Sequence, residues 1–259
     1  MRVSANLGFL WADRPLPDAI RAARAAGFDA VEFHWPYEAD PRALRAVLAE
    51  TGLPALGLNT RRGNPGEMGL AALPGREAEA RGAIDEAIAY ARITGTEAIH
   101  VMAGTLPPGG DRDAARATFV GNLIHACDAA PEHTILIEPL NAYDAPGYFL
   151  DSTQRAAAVI QRVGRPNLRL MFDCYHVQIA EGDLTRRLRA LLPLIGHVQF
   201  AAVPDRGPPD AGLGGGEVNY AHLFRTLRAL GWSRPLGAEY RPAGAEEAAL
   251  DWLDAARAI

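Results

Sequence analysis

Four polar residues in the second half of the chain each close a short apolar run. Glu138 follows Thr134-Ile-Leu-Ile, Asp173 follows Leu168-Arg-Leu-Met-Phe, Gln199 follows His197-Val, and Glu239 follows Leu236-Gly-Ala. They are 35, 26 and 40 residues apart, about what one strand-plus-helix unit occupies in a parallel α/β barrel. If the runs are parallel strands, the four side chains converge at the barrel's C-terminal mouth, where such folds carry their chemistry. Three carboxylates and a carboxamide oxygen are hard ligands for a divalent cation: Mg²⁺ or Mn²⁺ first, with Co²⁺ or Zn²⁺ as alternatives. Without a cation the cluster would repel itself. Glu138 and Glu239 stand three units apart and face each other across the mouth.

Other residues can complete such a site. His176, three residues past Asp173, suits a substrate hydrogen bond or a proton relay. Arg206, in the long segment after the seventh run, can grip a substrate carboxylate with two parallel hydrogen bonds. Arg61, Arg62 and Arg241 compete for that role. Asn6, Glu32, His34, Asn59 and His100 fall at or near strand ends. Each taken singly reads as a polar residue held inside the barrel, and Asn6, Asn59 and His100 are assigned to the substrate pocket. No GxSxG surrounds any serine, so a serine nucleophile is unsupported. Gly212-Leu-Gly-Gly-Gly216 reads as a flexible loop rather than a phosphate cradle, because no helix start follows at once.

The elements that must position these residues recur in a simple order. Helical residues, then Gly, then a β-rich run appear around Gly27, Gly52, Gly95 and Gly231. Glycine ends a helix readily because it accepts the left-handed conformation. Eight strands are expected at about 2–7, 29–34, 54–59, 97–102, 134–138, 168–173, 196–201 and 235–239. Helical stretches lie at 16–26, 41–51, 75–94, 112–130, 152–163, 183–192, 219–230 and 245–258. Strict alternation implies a parallel sheet with right-handed crossovers, and eight units favour closure into a (β/α)₈ barrel. The long segments Arg61–Pro74, Thr105–Arg112, Asn141–Leu150 and Val203–Val218 all follow strands, on the side where barrels build active sites. No GxGxxG follows the first strand, which weighs against an open dinucleotide-binding sheet.

The 259 residues suit one domain. A net charge of −5 gives no electrostatic footprint for nucleic acid. All 26 basic residues are arginine, so a lysine Schiff base, a pyridoxal anchor and a P-loop lysine are excluded. Cys127 and Cys174 form no CxxC pair and read as reduced thiols of a cytoplasmic protein. No stretch reads as a targeting segment or a membrane span. Nothing bears on oligomeric state, and a homo-oligomer is possible.

Several blocks resemble the hydroxypyruvate isomerase family of the xylose-isomerase-like TIM barrels. They are Ile137-Glu-Pro-Leu-Asn141, Pro146-Gly-Tyr-Phe149, Asp173-Cys-Tyr-His176-Val-Gln178, Glu181-Gly-Asp183, Leu70-Ala-Ala-Leu-Pro-Gly-Arg-Glu77, His100-Val-Met-Ala-Gly104, Gly216-Glu-Val-Asn-Tyr220 and Glu239-Tyr-Arg-Pro242. The likeness runs from about Asn6 to Trp252 and implies one such domain over 1–259. It implies a metal site at Glu138, Asp173, Gln199 and Glu239, with the two glutamates as acid/base pair. It further implies isomerisation of a small hydroxy-keto acid, hydroxypyruvate to 2-hydroxy-3-oxopropanoate. A 2-oxotetronate isomerase or a ketose 3-epimerase is the near alternative. A DNA-repair endonuclease and a non-catalytic binding barrel are more distant ones. One block departs from the family: where members often carry Gly-Arg-His-Glu-Pro, this chain has Asp205-Arg-Gly-Pro-Pro209.

Overall fold

A computed structural model of the protein describes residues 1–242, 244 and 250–259. In chain order its elements are β1 (Val3–Asn6), α1 (Leu16–Ala25), β2 (Ala30–Glu32), α2 (Pro41–Thr51), β3 (Gly57–Asn59), α3 (Glu77–Thr94) and β4 (Ala98–His100). Then come α4 (Arg112–Ala129), β5 (Thr134–Ile137), α5 (Thr153–Val163), β6 (Leu168–Asp173), α6 (Cys174–Ala180), α7 (Leu184–Leu191) and β7 (Ile195–Phe200). The chain continues through β8 (Gly214–Gly215), β9 (Val218–Asn219), α8 (Tyr220–Ala229), β10 (Leu236–Ala238) and α9 (Trp252–Ala258).

Eight strands pair in parallel in the order β2-β1-β10-β7-β6-β5-β4-β3. The ring closes through a parallel bridge between Val31 and Ala55, with backbone bonds such as Phe33 N to Gly57 O (2.9 Å) and Asn59 N to His34 O (2.9 Å). The expected barrel is thus formed. Its strands are almost wholly buried because helices cover one face and inward side chains fill the other. Gly52 and Gly95 end their helices with φ of 68° and 77°, the left-handed conformation expected of them from the sequence, and Gly164 ends α5 in the same way at 63°.

The structure differs from the sequence reading in three places. An extra helix, α6, starts directly at Asp173, whose carboxylate accepts from Tyr175 N at 2.8 Å. Its Tyr, His, Val and Ile content is poor in helix formers, which conceals it in the sequence; the cap compensates. The helix expected over 183–192 follows separately as α7. In the Gly-rich stretch, β8 and β9 form a two-residue antiparallel pair that leads straight into α8. Of the helix expected over 245–258, α9 accounts for the end, and 245–249 lie outside the described residues.

The C-terminal helix docks through one aromatic side chain. Trp252 is fully buried, in edge contact with Phe200 (5.5 Å), Tyr240 (5.9 Å) and Phe28 (6.3 Å). Trp252→Ala is expected to destabilise the fold by roughly 3–5 kcal/mol, read as a lower denaturant midpoint. An unchanged midpoint would mean that α9 does not anchor the barrel end.

Candidate active site

The parallel register decides which side chains meet. Asp173 on β6 pairs with Gln199 on β7, and Gln199 pairs with Gly237 on β10, two residues before Glu239. Glu138 follows the last residue of β5. Asn6 and Glu32 are partners on β1 and β2, as are Asn59 and His100 on β3 and β4. All of these but Asn59 are buried, and they gather at the C-terminal ends of the strands.

Glu239 is enclosed by donors. Its Oε1 accepts from Asn6 Nδ2 (3.1 Å) and His34 Nε2 (2.8 Å), and its Oε2 accepts from Arg206 Nη2 (2.8 Å). Burial alone would raise its carboxyl, but the Arg206 guanidinium and His34 outweigh burial and hold it far below the usual range. Asp173 shares the same guanidinium at only 3.4 Å. There burial wins, and the carboxyl is pushed up to about 7. Glu138 is raised still more clearly, by burial and then by the charges of Glu239 and Asp173. Proximity to one cation thus divides the three carboxyls: Glu239 is held towards its ionised form, whereas burial pushes Glu138 and Asp173 towards the protonated one.

Two imidazoles flank Glu138 and Asp173. His100 Nδ1 lies 3.2 Å from Asn59 Oδ1 and 3.7 Å from Glu138 Oε2; burial pulls the ring down to about 4. His176 is lowered to about 3, by burial and then by Arg206. Asn141 Oδ1 accepts from Tyr143 N and Asp144 N at 3.0 Å, so the Asn141 amide must turn Nδ2 towards the ring. His176 Nδ1 therefore faces two donors, Asn141 N (3.1 Å) and Asn141 Nδ2 (2.8 Å). Nε2 faces a further donor, Arg206 Nη1 at 3.2 Å, and lies 3.7 Å from Asp173 Oδ2, so donors crowd both ring nitrogens and the ring is disfavoured as a cation.

The donor set fits a divalent cation. Glu138, Asp173 and His176 offer ligand atoms within 4.8 Å of one another. Glu138 Oε1 and Gln199 Oε1 are buried with no hydrogen-bond partner, the condition of oxygens that need a cation or a donor. Within the cluster, the carboxylates are the stronger ligands. A ligating His176 Nε2 would have to give up Arg206 Nη1, 3.2 Å away, and carry its proton on Nδ1 against both Asn141 donors.

Every site residue expected from the sequence lies in or beside this cluster. Arg206 is more enclosed than a substrate clamp at the rim would be. It is 9% exposed, ion-paired to Glu239 and Asp173, 3.6 Å from Asp144, and stacked near Tyr175 (4.8 Å) and Phe9 (5.0 Å). Arg61 is bound to Glu86 at 2.7 Å. Arg62 lies 3.6 Å over the Trp35 ring. Arg241 lies 5.9 Å from the Phe9 ring. The sequence reading undervalued His34, Asn141, Asp144 and His197. For His34 the signal was present, two residues beyond β2. For Asn141 and Asp144 it lay in a loop with no periodicity to orient them.

The profile of the xylose isomerase-like TIM barrel family matches residues 20–256, and the chain belongs to that family. The 2-oxo-tetronate isomerase of Cupriavidus necator is 45% identical over 256 residues, covering 97% of each chain. The hydroxypyruvate isomerase of Escherichia coli is 38% identical over 258 residues, covering 98% of each. A solved structure from Brucella melitensis, named AP endonuclease, family 2, superposes with a TM-score of 0.93 at 38% identity and 98% coverage of each chain. The resemblance drawn from the sequence blocks is borne out, and the protein is an enzyme of the aldose–ketose isomerase type. No described helix is long and apolar enough to cross a membrane.

The hold of His34 on Glu239 depends on Gly8. A Cβ there would meet His34 Nδ1 at 2.0 Å. Gly8→Ala is expected to push the ring off Glu239 and lower kcat about tenfold, below the full contribution of an acid/base group, with an unchanged circular dichroism spectrum. Wild-type kcat in Gly8→Ala would show that this contact has no part in turnover.

Proposed function

We propose that the enzyme interconverts hydroxypyruvate and 2-hydroxy-3-oxopropanoate through an enediolate. The observation that carries this reading is the pair of buried glutamates, Glu138 and Glu239, held in opposite electrostatic surroundings beside a cation-fitting cluster. One glutamate takes a proton from C3 as the C–H electrons form the C2–C3 double bond and charge moves to the carbonyl oxygen. The other helps return a proton to C2. The hydroxyl proton passes from O3 to O2, leaving an aldehyde at C3 and a hydroxyl at C2. Atoms and electrons balance, and no redox cofactor is required.

Glu138, Asp173, Gln199 and Glu239 would hold the divalent cation, Mg²⁺ or Mn²⁺ first. When bound it polarises the substrate carbonyl and stabilises enediolate charge. His176 would hydrogen-bond the substrate, with His100, Asn6 and Asn59 shaping the pocket. Arg206 spends its donors on Glu239, Asp173 and their neighbours. Arg62 has no carboxylate partner among the described residues, and Trp35 beneath it is 5.0 Å from His34. We therefore assign the substrate carboxylate to Arg62, with Arg206 holding the catalytic acids. The second reading, 2-oxotetronate as substrate, is favoured by the 45% identical relative of that name. A nuclease role is disfavoured by the net charge of −5 and by finding one cation-fitting group among the described residues rather than a multi-zinc, histidine-rich site.

Proton NMR in D₂O tests the reading. Hydroxypyruvate should lose its C3 proton signal as deuterated 2-hydroxy-3-oxopropanoate appears. If 2-oxotetronate shows the higher kcat/KM side by side, the second reading replaces the first; if neither turns over nor exchanges, both fail. Glu138→Gln and Glu239→Gln should each lower kcat by about 10²-fold or more without unfolding the barrel. Near-wild-type turnover in either removes that residue from the mechanism.

Cation binding should depend on pH in a definite direction. Asp173 holds a proton below about 7, and Glu138 is raised also. A cation must displace those protons, so Mn²⁺ affinity is expected to fall as pH drops below about 7, with proton release in calorimetry. Affinity unchanged from pH 8 to pH 5.5 would take these carboxylates out of the cation site.

A further inference from the structure

Glu32 is buried, 3% exposed, and is not among the residues expected to touch substrate. It sits on β2, and its carboxylate reaches Gln199 on β7 past two intervening strands, β1 and β10. The residues it passes are small. Ser4 on β1 pairs with Gly237 on β10, and Gly237 pairs with Gln199. A Cβ on Gly237 would stand 2.4 Å from Glu32 Oε1 and 2.7 Å from Gln199 Cγ. This corridor through the barrel interior exists only because position 237 has no side chain.

At its end Glu32 Oε2 accepts from Gln199 Nε2 at 2.9 Å. Oε1 accepts from Ser4 Oγ and lies 3.1 Å from His197 Nε2. With Glu32 as the acceptor, the Gln199 amide points its nitrogen towards Glu32 and its oxygen away from it. That oxygen is the buried, unpartnered Gln199 Oε1, next in register to Asp173.

We propose that Glu32 is a positioning residue that orients the Gln199 amide, so that Oε1 is presented as a cation ligand beside Asp173. This rests on the cation reading above. A free amide in the same place could turn its N–H₂ towards the cation, which repels it. Residues that orient a ligand in this way typically contribute 10–100-fold to metal affinity.

Isothermal titration of the whole protein with Mn²⁺ tests it. Glu32→Leu should weaken Mn²⁺ binding about tenfold, and should cause no further loss in a Gln199→Leu background, because it acts through that side chain. Glu32→Gln should stay within about threefold of wild type, since its amide oxygen can still accept from Gln199 while its nitrogen donates to Ser4. Glu32→Asp keeps the charge but shortens the reach, and should lose affinity like Glu32→Leu. If Glu32→Leu does not fold, the Gln and Asp variants decide the matter. Three outcomes overturn the proposal: equal losses with and without Gln199, undiminished affinity in folded Glu32→Leu, or Asp keeping affinity while Gln loses it. The last would mean that charge matters and orientation does not. Failure of the wild-type protein to bind Mn²⁺ would sink the cation reading itself, and this inference with it.

Discussion

Three carboxyls buried at one end of one barrel cannot all ionise unless positive charge is brought among them. The chain supplies one such charge itself, the Arg206 guanidinium, 2.8 Å from Glu239 and 3.4 Å from Asp173. A single guanidinium cannot serve both equally, and the shorter distance determines which acid stays charged. The remaining acids, Glu138 and Asp173, are pushed towards the protonated form by burial. A divalent cation is suited to them because it brings charge without needing hydrogen-bond geometry of its own. Arg206 and a cation are therefore complementary: one secures Glu239, the other fits where Glu138 and Asp173 remain short of positive charge.

The barrel makes such a cluster tolerable. Each acid sits at or just past the end of a strand whose other side chains are packed in the core, so the backbone beneath it is rigid. Small residues let polar side chains cross the interior: Gly8 admits His34 to Glu239, and Gly237 admits Glu32 to Gln199. Packing and chemistry are joined at these points. A methyl group added at either position leaves every functional group present and disturbs only where it points.

Much of this was legible in the sequence. The eight strands, their order of appearance and the convergence of Glu138, Asp173, Gln199 and Glu239 follow from run spacing and glycine caps, because strand-to-strand distance in a barrel is nearly constant. What stayed hidden depends on contacts between distant strands. Glu32 looks like any strand-end acid until its side chain is seen to run past Ser4 and Gly237 to Gln199. Helix α6 was masked by poor helix formers, and only the Asp173 cap, seen in three dimensions, accounts for it. Arg206 was found, but as a grip for a substrate carboxylate. Nothing local in Asp205-Arg-Gly-Pro-Pro209 says that the side chain turns inward.

The reason it turns inward lies in the backbone of that loop. Arg206 has a φ of 56°, a left-handed conformation that disfavours a residue with a Cβ by roughly 1–2 kcal/mol. Its main chain is fastened on both sides: Arg206 N donates to Ala202 O (2.9 Å), Ala202 N to Gly207 O (2.8 Å), and Arg241 N to Arg206 O (2.8 Å). The Gly-rich stretch beyond is tied down as well, by Val203 N to Gly215 O (3.1 Å) and Glu217 N to Val203 O (3.0 Å). Gly216 has φ of 60°, and a Cβ there would lie 1.9 Å from Val203 O, so the glycine is required by this close approach. A segment that reads as flexible is thus a bonded platform. Its work is to hold one strained residue so that a guanidinium stays buried among acids, and the ion pairs to Glu239 and Asp173 offset the strain. The loss of the family's histidine and glutamate in this loop leaves that work untouched, because it is done by the backbone and by Arg206 itself.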